Sequence, residues 1–194
     1  MKMIRSLLIA LALVTTSSHA AFLSLTPSVS FAETGDTVVL DLMIGGLGDG
    51  GPDSLGDFDL DILYDPAVVS ISSYSLTNML GDIDFFEAFD FSLGDDGLGT
   101  LGLSVVSFLT DSELNALQPD SFSLATISFS VDFLPENSFT WVEIGTIYGM
   151  GDVFGDPLEI TSTANALITN SINEPAAFWL MLLPALLLLK RRRS

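Results

Sequence analysis

The run DFDLDILYDP, Asp57 to Pro66, restricts the fold more than any other stretch of the chain. Phe58, Leu60, Ile62 and Tyr64 alternate with Asp57, Asp59 and Asp61, and a period of two puts the two sets on opposite faces of an extended strand. A helix, repeating every ~3.6 residues, cannot bury that pattern on one side. Asp65-Pro66 ends the strand, because proline fixes its own φ and keeps the preceding residue out of the helical region. The same alternation recurs along the chain, punctuated by Gly, Asp, Asn and Pro. Residues 22–31 read as a first strand in which Pro27 marks an edge or a break. Val38, Leu40, Leu42 and Ile44 share one face of the next. The runs VVSISSYSL (68–76), LGTLGLSVVSF (98–108), SFSLATISFSVDF (121–133), SFTWVEIGTIY (138–148) and LEITSTANALIT (158–169) follow. Segment 45–56 is Gly-rich and reads as a flexible loop, 81–94 has no clean period, and Asp95-Asp96-Gly97 reads as a hairpin turn. Thr110 and Glu113 make a capping box ahead of LNALQ, so one short helix is expected, stopped by Pro119. Eight or nine strands, one helix at most and no regular alternation of helices with strands predict an all-β fold, an antiparallel β-sandwich.

Charge narrows the function. The 194 residues carry 25 Asp and Glu against 6 Lys and Arg, for a formal net charge of −19. All the basic residues stand at the two ends, Lys2 and Arg5 at one, Lys190, Arg191, Arg192 and Arg193 at the other. Residues 21–172 contain no Lys, Arg or Cys, and no His, since the single histidine is His19. A body of that sign repels phosphate backbones, which excludes nucleic acid, and it is a poor match for anionic membrane surfaces. It has no base for a Ser or Cys nucleophile and no Cys or His to ligate zinc. Its carboxylates have no internal cation to pair with, so divalent cations or high salt are expected to stabilise it. A single tryptophan, Trp141, lies in the body and reads as core packing rather than as a sugar platform. The body's many acidic pairs leave a glycosidase-like carboxylate pair open, which would require a cleft with converging carboxylates; without such a cleft the body is expected not to be an enzyme.

The two ends read as address labels. Lys2 and Arg5, the apolar run SLLIALALV and the small residues before Ala20 make residues 1–20 a secretory signal, cut by signal peptidase between Ala20 and Ala21. At the other end, Ala176 to Leu189 is an apolar run of fourteen residues. As a helix it would reach roughly 21 Å, short of a hydrocarbon core of about 30 Å, and Pro184 weakens it further. The four basic residues hold that end on the cytoplasmic side. Residues 173–194 are thus expected to insert transiently in the inner membrane; a permanent C-terminal anchor is the alternative.

Two resemblances extend this reading. TGDTVVLDLMIGGL, LGDFDLDILYDPAVVSI and LATISFSVDF resemble the strands of cohesin modules, with Phe58, Leu60, Tyr64, Asp65 and Pro66 on the family pattern. That resemblance implies a jelly-roll sandwich over residues 21–172, whose best-known members bind dockerin modules through one sheet face. The tail resembles PEP-CTERM sorting signals, with Asn173, Glu174 and Pro175 at the motif, followed by the apolar run and the basic cluster. It implies processing by an exosortase-type membrane protease and delivery to the cell surface or to an exopolysaccharide or biofilm matrix. An adhesive or protein-interaction domain is the implied role, with a carbohydrate-binding module as the alternative and an unidentified surface protein or polysaccharide as the ligand. No cofactor is expected. Asp57, Asp59 and Asp61, with Asp49 and Asp53 in the adjoining loop, read either as a solvated strand face or as a calcium site, without an EF-hand spacing.

Overall fold

The computed structural model describes residues 21–48 and 54–170. The expected signal segment, the middle of the Gly-rich loop with Asp49 and Asp53, and the expected sorting tail lie outside them, as does Ala20. Among the described residues, the strands are β1 (Ala21–Pro27), β2 (Thr37–Gly45), β3 (Asp57–Leu63), β4 (Val69–Leu76), β5 (Ala88–Asp90), β6 (Gly94–Asp95), β7 (Thr100–Ser107), β8 (Ser121–Val131), β9 (Phe139–Gly151), β10 (Ile160–Ala164) and β11 (Ala166–Thr169). One helix, α1 (Asp111–Leu117), and a 3-10 turn at Asn78–Leu80 complete them.

The strands make two facing sheets. One runs β10-β1-β2-β8-β4; the other runs β11-β9-β3-β7-β5, with β6 also on β7. All the strand pairs are antiparallel except β1 with β10. Alternation decides which side chains face inward. Phe58, Leu60 and Ile62 on β3 belong to the same core as Val38, Leu40, Leu42 and Ile44 on β2, all essentially without solvent exposure. Tyr64, just past β3, packs edge-on against Phe129 of the opposite sheet, with ring centroids 5.5 Å apart. Burying such side chains on both inner faces is the main stabilising contribution, at about 25 cal/mol per Å² of apolar surface.

Two irregularities in the sequence period become bulges. In β8 both Leu124 and Ala125 are buried, and the register against β2 slips there, Leu42 facing Ala125 while Met43 faces Ser123. The extra residue restores the inward phase for Ile127, Phe129 and Val131. In β9, Ile62 faces Ile144 and Leu60 faces Ile147, so β9 carries an extra residue between them. Gly145 is needed there, since a Cβ would sit 2.8 Å from Leu63 Cγ.

Three expectations are refined. Pro27 ends β1, paired with Leu40 of β2 on one side while β10 reaches only Ser24 on the other, so it marks a break at a locally one-sided stretch. The run 158–169 is two strands in different sheets, switching at Asn165, whose Oδ1 accepts the Ile144 N–H at 3.0 Å. Segment 81–94 contributes the short β5 and the start of β6. The Asp95-Asp96-Gly97 hairpin and the capping box form as read: Asp96 Oδ1 accepts the N–H groups of Leu98 and Thr100 at 2.7 and 3.0 Å, and Glu113 Oε2 accepts the Thr110 N–H at 2.8 Å.

Candidate functional site

Since inward positions are filled by the core, recognition falls to the outward set, and the outer face of the β11-β9-β3-β7-β5 sheet is the most differentiated. Its centre is the acidic side of β3. Register places Asp59 opposite Ser104 and Asp61 opposite Gly102 on β7. With Phe91 and Leu93 on one flank and Tyr148 on the other, these residues line a groove of about 340 Å³. Gly102 and Ser104 keep its floor low. A second register slip in β9, where Asp59 faces Gly149 and Leu60 faces Ile147, leaves Tyr148 as the extra residue, and its hydroxyl donates to Asp61 Oδ2 at 2.8 Å. That bond to a carboxylate raises the phenol above its ordinary range.

Asp57 stands at the end of the strip. Partial burial, and then the like charges of Asp152 and Asp59, raise its carboxyl above the usual aspartate value. Its Oδ1 lies so near Gly151 that a Cβ there would be 2.4 Å away. Asp57, Asp59 and Asp61 thus share one face, as their spacing required, but each has different surroundings. Among the described residues, no group of three or more acidic side chains is arranged to hold a metal ion. Ala21 is buried as the first residue of β1.

The β5 edge of the same face is aromatic. Phe89 stacks near Phe91 with centroids 6.1 Å apart, meets Phe108 edge-on at 5.2 Å, and lies 6.1 Å from Phe86. All four rings are exposed. On the β9 side, Trp141 is 45 % exposed, which corrects its expected place in the core. Thr140 and Val142 take the inward positions, and Trp141 pairs outward with Leu167 of β11. Glu143 on the same face was the available signal, because a strand face carrying Glu two residues from Trp is the solvent face. Trp141, Phe139, Leu63, Asp65 and Glu143 line a second groove.

No family model and no curated protein matches the chain. Solved structures do. The chain is similar to a type II cohesin domain from the cellulosome of Acetivibrio cellulolyticus, with TM-score 0.61 and 17% identity over 78% of this chain and 95% of that one. It is similar to a non-cellulosomal cohesin from the archaeon Archaeoglobus fulgidus, with TM-score 0.57 and 12% identity over 82% and 96%. A type I cohesin–dockerin complex from Clostridium thermocellum gives TM-score 0.58 at 10% identity over 78% and 99%. At these identities the likeness concerns backbone architecture. The described domain is a cohesin-like jelly-roll β-sandwich.

Proposed function

We propose that this chain is an exported, non-catalytic protein-interaction module that works at the cell surface or in the extracellular matrix, docking a partner protein on the outer face of its β11-β9-β3-β7-β5 sheet. The observation that carries the reading is that face itself. Exposed rings flank an acidic strip on a rigid sheet, which is the composition of an interaction surface more than of a solvated one. Cohesin-like architecture supports it, since the Clostridium thermocellum neighbour was solved as a cohesin–dockerin complex. The sequence of both ends supports export and exosortase-type sorting through transient inner-membrane insertion. Mass spectrometry of the protein from its native host tests the delivery: the mature chain starts at Ala21 and lacks the peptide containing Arg191. Persistence of that peptide refutes sorting and leaves a permanent anchor. A photo-cross-linker at position 148 tests the docking face, and a chain that cross-links to no protein at the surface of its host refutes it.

The exposed Trp141 favours a second reading, a carbohydrate-binding module. An indole beside Asp65 and Glu143 offers a stacking plane with hydrogen-bond acceptors at its rim. Retention on a polysaccharide matrix, abolished by Trp141→Ala, supports this reading; unchanged retention in that variant removes it.

A further inference from the structure

The phenylalanine cluster is more than an apolar edge, because its backbone is held in place before any partner arrives. Residues 82–87 form a closed loop. Glu87 donates its N–H to the Asp82 carbonyl at 2.9 Å, Glu87 Oε2 accepts the Asp82 N–H at 3.0 Å, and Asp82 Oδ1 accepts the Asp84 N–H at 2.9 Å. Gly81, at φ +117, permits the closure, since a Cβ there would press on Glu87 at 2.9 Å. The loop tip puts Phe86 at φ +61 with 73 % of its surface exposed. A bulky residue in left-handed backbone is strained by about 1–3 kcal/mol and persists where its surroundings fix it. The strain serves no burial, because the ring points to solvent. What it achieves is a fixed array of Phe86, Phe89, Phe91 and Phe108, rigid in advance and so less costly to order on binding.

Charge selects the occupant. Asp82, Asp84, Glu87 and Asp90 lie on the same stretch, 82–91, as three of these rings, and residues 21–172 contain no Lys or Arg to neutralise them. A second copy of the chain would bring the same sign against itself, and an anionic lipid surface would be repelled likewise. A partner that covers the rings must bury apolar surface and supply cations at its rim.

Resting on the docking reading above, we propose that the knuckle formed by Phe86, Phe89, Phe91 and Phe108 is the anchor of the docking face, and that the segment it takes is a cationic amphipathic one, apolar along one side and flanked by Lys or Arg. The carboxylates steer the encounter and make it salt-dependent, while the rings hold the complex.

The test titrates the full-length chain into a fluorescently labelled synthetic amphipathic helix with leucine on one side and lysine on the other. The expected result is saturable binding at low salt, weakened at least tenfold by the double substitution Phe86→Asn and Phe91→Ser. Phe133→Ser, an exposed ring outside the cluster, keeps the affinity. A peptide with every lysine replaced by glutamate binds at least tenfold more weakly. One with every leucine replaced by serine binds weakly and ignores the double substitution. Equal binding of the leucine–lysine helix by the wild type and the double variant overturns the proposal, as does equal binding of the glutamate peptide. If the double variant melts early, Phe108→Ser alone, with a tenfold or unchanged affinity, decides the same question. Should position 148 cross-link a surface protein whose capture tolerates these substitutions, the anchor is refuted while the docking face stands. Dimerisation or polysaccharide retention lost in the double variant, without peptide binding, also refutes it.

Discussion

The most informative single substitution lies away from the docking face, at Gln118. Its side chain is 7 % exposed and makes three hydrogen bonds. Oε1 accepts the Leu55 N–H at 2.8 Å, and Nε2 donates to the carbonyls of Leu55 and Met79, each at 2.8 Å. One amide therefore ties the end of α1 to the lead-in of β3 and to the 3-10 turn that precedes Gly81. Gln118→Ala leaves one backbone N–H and two carbonyls short of a partner. An orphaned buried group costs about 1–3 kcal/mol, the carbonyls less than the N–H, so the sum is about 3–5 kcal/mol. For a domain of this size each kcal/mol lowers the melting temperature by about 2–4 °C, giving a fall of about 6–20 °C. Gln118→Met separates bonding from packing, because it keeps the volume and loses the bonds; it is expected to fall nearly as far. Gln118→Glu aims a carboxylate at two carbonyl oxygens, so its folded pKa lies above the unfolded value. Its stability is then present at low pH and lost as pH rises, and Glu should outperform Met near pH 4 and fall below it at pH 7. Calorimetric melts of the four proteins at both pH values make the check. A fall under about 3 °C for Gln118→Ala, or a Met variant as stable as the wild type, refutes the reasoning.

Other outcomes follow from named groups. Asp57 has a raised folded pKa, chiefly from burial; its stabilising contribution is complete below the ordinary aspartate value of 3.8 and is lost as pH rises through the folded value. Asp57→Asn should therefore melt higher than the wild type at pH 7 and converge with it near pH 3.5, in paired thermal melts. Tyr64 is buried and its hydroxyl donates to Asp95 Oδ1, which raises its phenol further after burial has done so; Tyr64→Phe is expected to cost about 1–2 kcal/mol in chemical denaturation. Tyr148 makes the similar bond to Asp61 in the open, and Tyr148→Phe should leave the denaturation midpoint in place. The unneutralised body should melt higher as sodium chloride is raised from 20 to 300 mM; a melting temperature indifferent to salt and to added calcium refutes the self-repulsion argument.

What the sequence disclosed depended on whether a local period carried the information. The DFDLDIL alternation put Phe58, Leu60 and Ile62 inside and the three aspartates together outside, and the Thr110–Glu113 spacing placed α1 to within a residue or two. The phase slip at Leu124-Ala125 was visible as a run of two inward residues, though its identity as a bulge needed the partner register. Asn165 was not legible, because the switch between sheets occupies one residue inside a continuous strand pattern. Trp141 was misplaced by residue type when its neighbours, Thr140 and Val142 against Glu143, already gave the orientation. The phenylalanine knuckle was missed for a related reason. Phe85, Phe86, Phe89 and Phe91 fit no buried face, and that aperiodicity among acids was itself the sign of an exposed cluster. Gln118 looked like the last turn of a helix, since nothing local reveals that two distant backbone segments converge on its amide.

Taken together, the contacts explain how a body without a single basic residue stays folded. Its carboxylates are held by donors that carry no charge. Asp41 accepts from Thr126 at 2.7 Å, Asp61 from Tyr148 at 2.8 Å, Asp120 from the Gly48 N–H at 2.8 Å, and Asp152 from the N–H groups of Phe154 and Asp156, each at 2.8 Å. Among the described residues, no buried side-chain nitrogen or oxygen lacks a partner. Such bonds fix geometry without cancelling charge, whereas an internal salt bridge would do both. The negative field therefore survives folding undiminished and extends about 8 Å from the surface at physiological salt. Local structure and long-range attraction are thereby assigned to the same side chains without conflict. The cost is self-repulsion in the folded state, which a cationic partner would relieve, so binding and stability are expected to be coupled in this protein through electrostatics as well as through contact.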